Sequence, residues 1–144
     1  MSQYVRDWEL TAIVGSLGAF IIYWLGGWDV LLQSLIALVV LDYIAGVLLA
    51  AYQGRLSSDC AYKGLIRKLA MFVALGAATA LDQCALLGTP WLRNVMVALM
   101  ITKEAMSVLE NLALLGVPIP QQVRDALAVL RDSASPSAKR KRGC

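Results

Sequence analysis

The chain has 144 residues, 59% of them hydrophobic and only 16% charged, with 13 Lys and Arg against 10 Asp and Glu. That composition fits a multi-span membrane protein and not a soluble domain. It contains no histidine, which removes Ser–His and Cys–His nucleophile pairs and imidazole metal sites. No Walker-type or G-x-G-x-x-G loop is present to cradle a phosphate. The reading is therefore non-enzymatic, with no cofactor and no metal.

The first apolar run, Leu10 to Trp28, is nineteen residues long and carries no charge. A bilayer core of about 30 Å needs roughly 20 such residues in a helix. Arg6 is followed by Asp7 and Glu9, and no small-x-small site closes the run, so it reads as a span and not as a cleaved signal peptide. Gly26-Gly27-Trp28-Asp29 ends it. A second helix is predicted over about 30–53, interrupted by Asp42, and a polar loop over Gly54 to Lys63 follows. A third is predicted over about 65–87, with Arg67, Lys68 and Asp82 near its ends. Gly88-Thr89-Pro90 turns the chain, and Pro90 suits the start of a fourth helix over about 91–115. Gly116 stops that helix. Residues 117–132 hold a short amphipathic helix with Val123, Leu127 and Leu130 on one face. Residues 133–144 form a basic tail expected to be disordered. Cys60, Cys84 and Cys144 make no C-x-x-C pair and read as thiols. Trp8, Trp24, Trp28 and Trp91 fall near the span ends, as interfacial anchors do.

The expected fold is thus an all-α integral membrane protein. Residues 1–116 form about four transmembrane helices, and a cytoplasmic amphipathic helix and a basic tail follow. Loop charge orients it. Arg55, Lys63, Arg67 and Lys68 cluster between helices two and three, and Arg124, Arg131, Lys139, Arg140, Lys141 and Arg142 lie in the C-terminal segment. The connection between helices one and two has no Lys or Arg. Lys and Arg are retained on the cytoplasmic side, so four spans with both termini cytoplasmic satisfy the charges. Lys139 to Arg142 is read as a contact for anionic lipid headgroups. No fold stands behind it for nucleic-acid binding.

Helix four is the least apolar. Its uncharged stretch, Asn94 to Thr102, is nine residues, or roughly 14 Å. At 100° per residue, Arg93, Lys103, Glu104, Ser107, Glu110 and Asn111 share about a third of the circumference. A charge at the bilayer centre costs at least about 2.5–3.5 kcal/mol on insertion scales. That face must rest at the membrane surface, line an aqueous lumen in an assembly, or pair internally. Asp42 poses the same question in helix two. It is either a functional carboxylate or one held by neighbouring helices. Small residues recur at separations of four: Gly15 and Ala19 in helix one, Gly46 and Ala50 after Asp42, and Ala70, Ala74 and Ala78 before Asp82. Lipid removes the hydrophobic drive between helices, so close packing at small residues and polar contacts must supply it. These stripes are read as helix-packing faces, within a chain or between chains.

Three stretches then look familiar: LDYIAGVLLAAYQGRLSS, AYKGLIRKLAMF and KEAMSVLENLALLGVPIP. Together, over about Leu41 to Leu130, the chain resembles the toxin-secretion/phage-lysis holin family. The most specific piece is Glu104-x-x-Ser107-Val108-Leu109-Glu110-Asn111-Leu112, followed by Gly116-Val117-Pro118-Ile119-Pro120. Asp42-Tyr43-x-x-Gly46, leading into Gly54-Arg55-Leu56-Ser57-Ser58, comes next. Lys103, beside the motif glutamate, departs from the pattern. The resemblance implies a small phage-encoded protein of the bacterial inner membrane. Such a protein oligomerises with copies of itself and opens lesions that let an endolysin reach the cell wall; relatives export toxins. A small ion or solute channel or transporter subunit using Asp42, and a non-conducting adaptor, are the competing classes.

Overall fold

The structure is a computed structural model that describes residues 2–85 and 89–134. It contains five helices: α1 (Ser2–Trp24), α2 (Val30–Tyr52), α3 (Ser58–Cys84), α4 (Trp91–Leu114) and α5 (Gln121–Ala134). Among the described residues there is no strand. At 1.5 Å per residue, the first four are each roughly 35–40 Å long. Two of them, α2 with 23 residues and α3 with 27, are long and apolar enough to cross a membrane.

Glycine sets three of the helix ends. Gly27 N–H donates to the Ile22 carbonyl and Gly26 N–H to that of Tyr23. This is a Schellman motif, in which a left-handed residue turns the chain back over its last carbonyls. Gly26 has the required φ of 88°. The same pair of bonds closes α2 around Gly54 and α4 around Gly116.

Two boundaries differ from those expected. Helix α1 begins at Ser2 rather than near residue 10, so its charged leader is helical. Helix α3 begins at Ser58, which converts half of the expected polar loop into helix. Ser57 accepts the first helical bond, from Ala61 N–H. Asp59 occupies the first turn, where a negative charge opposes the helix dipole favourably, and it pairs with Lys63 one turn on at 3.1 Å. Of the amphipathic pattern in α5, the side chains of Leu127 and Leu130 lie outside the described residues, as does the Lys139–Arg142 cluster. Cys84 is a free, exposed thiol. Cys60 is disulfide-bonded, which corrects the expectation of three thiols.

The contacts gather into two compact units, one from residues up to 36 together with 68–101, the other from 37–67 together with 102 onward. Helices α2, α3 and α4 each contribute to both. The first unit holds the apolar core: Leu25, Leu32, Leu35, Leu75, Ala78, Val97 and Met100 are buried. In the second, Ala45 and Glu104 are the buried residues among those described.

Candidate functional site: a charged junction of helix ends

In the first unit, Arg93 is the largest fully buried side chain, with 2% of its surface exposed. Its guanidinium has five N–H donors in a fixed fork, and each meets an acceptor. Nε donates to the Leu25 carbonyl at 2.8 Å, and Nη1 to Asp29 Oδ2 at 2.6 Å and Asn94 Oδ1 at 3.2 Å. Nη2 donates to Asp29 Oδ1 at 3.1 Å and, at the limit of hydrogen bonding, to the Gly27 carbonyl at 3.5 Å. The two-pronged contact with Asp29 is the strong bidentate form of the ion pair. The side chain also fixes a backbone requirement, because a Cβ at Gly26 would collide with Nε and Cδ of Arg93.

Asp82 completes the junction from α3. Its Oδ1 accepts the N–H of Leu92 at 3.0 Å and its Oδ2 accepts that of Arg93 at 2.8 Å. These are early amides of α4, which have no partner inside their own helix. Pro90 accepts the first helical bond, from Asn94 N–H at 3.0 Å, and so stands at the capping position. Proline has no side-chain acceptor, and Asp82, eight residues earlier, supplies the cap instead. Asp29 does the same for α2, accepting Leu32 N–H at 2.8 Å.

Arg93 and Asp82 therefore each sit at the unfavourable end of their own helix and the favourable end of another, whereas Asp29 sits at the favourable end of its own. Arg93, in the first turn of α4, faces the C-terminal carbonyls of α1. Asp82, in the last turn of α3, meets the amino end of α4. For these two the macrodipole rule is obeyed between helices and not within them. The hydrogen bonds of Arg93 hold the Asp29 carboxyl below the usual carboxylate range; partial burial opposes them and the Leu32 amide assists. An open cleft of about 410 Å³ borders the junction, lined by Thr79, Gln83 and Thr89 together with Gly26, Asp82, Pro90 and Arg93. One side of the junction is braced by Trp24, whose indole packs so closely on Gly76 that a Cβ there would lie 2.5–2.6 Å from the ring.

The second unit carries the other polar group. Asn111 Nδ2 donates to Asp42 Oδ1 at 3.1 Å. Gly46, one turn beyond Asp42, lies 3.7 Å from that nitrogen when measured from an ideal Cβ, so a small residue there leaves room for the amide. Glu104 is 2% exposed, and Lys103, with most of its side chain exposed, approaches it at 3.5 Å. Among the described residues no buried side-chain nitrogen or oxygen lacks a partner, and no three His, Cys, Asp or Glu gather as metal ligands.

The residues singled out from the sequence thus fall in different places. Arg93, Val97, Met100 and Glu104, spaced along one face of α4, are the buried stripe of that helix. Ser107, Glu110 and Asn111 are half-buried and Lys103 is exposed. Of the small-residue positions, Ala78 is buried and Gly46 and Ala50 are half-buried, but Gly15, Ala19, Ala70 and Ala74 are exposed. Among the described residues, nothing beyond its own stretch of helix lies within 4 Å of a Cβ built at Gly15. The buried face of α3 runs instead through Leu75, Gly76, Ala78, Thr79 and Asp82. Asp29, Gly76 and the Leu25 and Gly27 carbonyls were not foreseen as partners.

Residues 19–132 match the family model of the bacteriophage holin family. The chain belongs to that family. Among relatives, an uncharacterised protein of Listeria monocytogenes is 38% identical over 72 residues, half of each chain. One of Listeria innocua is 36% identical over 83 residues, 56% of this chain and 58% of its own. An uncharacterised 14.9 kDa protein from the nagH 3′ region of Clostridium perfringens is 35% identical over 89 residues, 62% of this chain and 67% of its own. The chain spans about half the length of the Listeria relatives it matches. No solved structure matches. Family membership and two membrane-length apolar helices together make this a holin-family membrane protein.

Proposed function

We propose that the chain is a working holin: it enters the bacterial inner membrane, accumulates there, associates with copies of itself and opens a lesion that releases an endolysin to the cell wall. The observation that carries this reading, within a holin-family chain, is the inverted burial of α1 and α4. Helix α1 leaves Leu10, Ile13, Val14, Leu17, Phe20 and Ile21 exposed, while α4 buries Arg93 and Glu104. Water would select the opposite arrangement. Lipid favours this one, since a charge facing hydrocarbon is expelled and an apolar side chain facing it costs nothing.

In this reading α1 to α4 all cross the membrane and both termini are cytoplasmic, as the loop charges require. The α4 face that carries Arg93, Lys103, Glu104, Ser107, Glu110 and Asn111 is largely withdrawn within a single chain, with Arg93 and Glu104 buried and Lys103 at its exposed edge, and lines water once chains assemble. The stored polarity would then favour a threshold, because exposure to lipid is costly before an aqueous lumen exists.

Controlled expression in a bacterium with and without a cytosolic endolysin tests the function. Membrane potential should collapse abruptly after a delay in both strains, with turbidity falling only where endolysin is present. Gradual, substrate-dependent flux without a threshold would favour a transporter. Reporter fusions after Gln53 and near the C-terminus should read as cytoplasmic, and one after Gly88 as external.

A further inference from the structure

The Arg93–Asp29 contact differs from the other polar bonds of its unit in what it ties together. Asp82 binds α3 to the start of α4 through main-chain amides. Arg93 binds α4 to the opposite pair, taking the carbonyls that end α1 and the carboxylate that begins α2. Asp82 and Arg93 are at most 8% exposed, whereas the Asp29 side chain is 43% exposed. The clasp thus has a closed half and an open half. Losing Asp29 would detach the arginine from α2 and leave the Asp82 cap intact. Among its described side chains, residues 7–24, α1 is otherwise almost wholly exposed, and the contact of its end with the rest of its unit includes Trp24 on Gly76 and the buried Leu25.

We propose that this clasp is the latch of the closed state and sets the moment of opening, an inference that rests on the holin reading above. The α4 polar face cannot turn from the chain's interior to a shared lumen while the fork of Arg93 is held at the α1–α2 connection. Opening must exchange the bonds to Asp29, Leu25 and Gly27 for water. A weaker clasp lowers the accumulation at which that exchange becomes favourable.

The test compares wild type, Asp29→Asn, Asp29→Glu and Arg93→Lys expressed at matched rates, and reads the amount accumulated in the membrane at the moment the potential is lost. Asp29→Asn keeps a good capping side chain for α2 and removes the charge and one of the two acceptors for the guanidinium, so it separates latching from folding. Asp29→Asn should open at roughly tenfold lower accumulation, the factor that corresponds to about 1.4 kcal/mol. Arg93→Lys, which loses the fork, should also open early, and Asp29→Glu should return toward wild type. Opening of Asp29→Asn at or above the wild-type level, or reduced accumulation without early opening, would overturn the latch. The monomer-to-oligomer ratio of purified protein in lipid nanodiscs is a second readout. If wild type never depolarises cells, the holin reading fails, and the nanodisc ratio still decides the latch: Asp29→Asn should shift it about tenfold toward oligomer, and an unchanged ratio would refute it.

Discussion

Helices α1 and α4 are nearly equal in length, at 23 and 24 residues, yet they handle their side chains in opposite ways. In α1 the charges stand in the first turns, and among the described side chains the apolar surface is exposed on nearly every side. In α4 charges run from Arg93 to Glu110, and the most buried stripe contains two of them. The contrast follows from what surrounds the molecule. Within a chain in lipid, apolar area no longer distinguishes inside from outside, and polar satisfaction becomes the organising force. Helix α4 is drawn in because its charges need partners. The apolar stretch of helix α1 needs none.

The strongest way to break this contrast is to give α1 a charge of its own. Leu17→Asp places a carboxylate in the middle of α1 on an exposed position. On insertion scales it costs about 2.5–3.5 kcal/mol, so the membrane-inserted fraction should fall by two orders of magnitude. Glu104→Gln in α4 should insert as well as wild type, since the position is interior. Membrane fractionation with topology reporters measures both. Normal insertion of Leu17→Asp would show that α1 does not face hydrocarbon.

The next largest effect sharpens the α4 side. Asp82→Ala strips the cap from α4 and leaves the amides of Leu92 and Arg93 without acceptors. An orphaned buried donor costs about 1–3 kcal/mol, which thermal unfolding in detergent should register as a clear loss. Asp82→Asn, which retains an acceptor oxygen, should lose less. An alanine variant as stable as wild type would mean that the cap contributes nothing.

How much of this was legible beforehand follows from the range over which each interaction acts. The helices were readable because apolar runs, Pro90 and the closing glycines Gly26, Gly54 and Gly116 are local signals. The start of α3 is harder to read: Ser57, Asp59 and Lys63 carry a recognisable capping pattern, but their polarity fits a loop equally well. The junction was missed for a different reason. Asp29 and Arg93 are 64 positions apart, and no periodicity connects them. Two signals were nevertheless available: an acidic residue directly before Val30, and an aspartate and an arginine at dipole-opposed ends of helices joined by a Pro turn. The stripe Ala70, Ala74, Ala78 misled because small residues recur in any such helix, whereas Gly76, which receives Trp24, belongs to no i, i+4 series with them.

That contact gives a smaller prediction about how α1 is anchored. Gly76→Ala would place a methyl 2.5–2.6 Å from the Trp24 ring. The indole is 39% exposed and can swing aside, so the loss should be near 1 kcal/mol, the low end of overpacking. Removing the ring should relieve it. In a double-mutant cycle, Gly76→Ala should be harmless in a Trp24→Ala background. An equal penalty in both backgrounds would place the cost in α3 itself and not at the anchor of α1.

The smallest expected effect is the pH response of the junction, and its sign follows from Asp29. Arg93 holds that carboxyl below its ordinary value, so the folded chain binds a proton less readily there than the unfolded chain. A depressed carboxylate contributes stability above the unfolded pKa of about 3.9, and that contribution is lost as pH falls through the folded value. Wild type in detergent should therefore show no change from Asp29 between pH 7 and 5 and a decline below about pH 4. The carboxylate is 43% exposed, and solvent screens the pair, so the decline should be shallow. Asp29→Asn preserves the α2 cap and has no proton to gain, and it should be less stable at neutral pH with a flatter acid limb. If wild type and Asp29→Asn decline in parallel below pH 4, the acid sensitivity arises elsewhere, and the ionic half of the clasp contributes nothing to the stability of the closed chain.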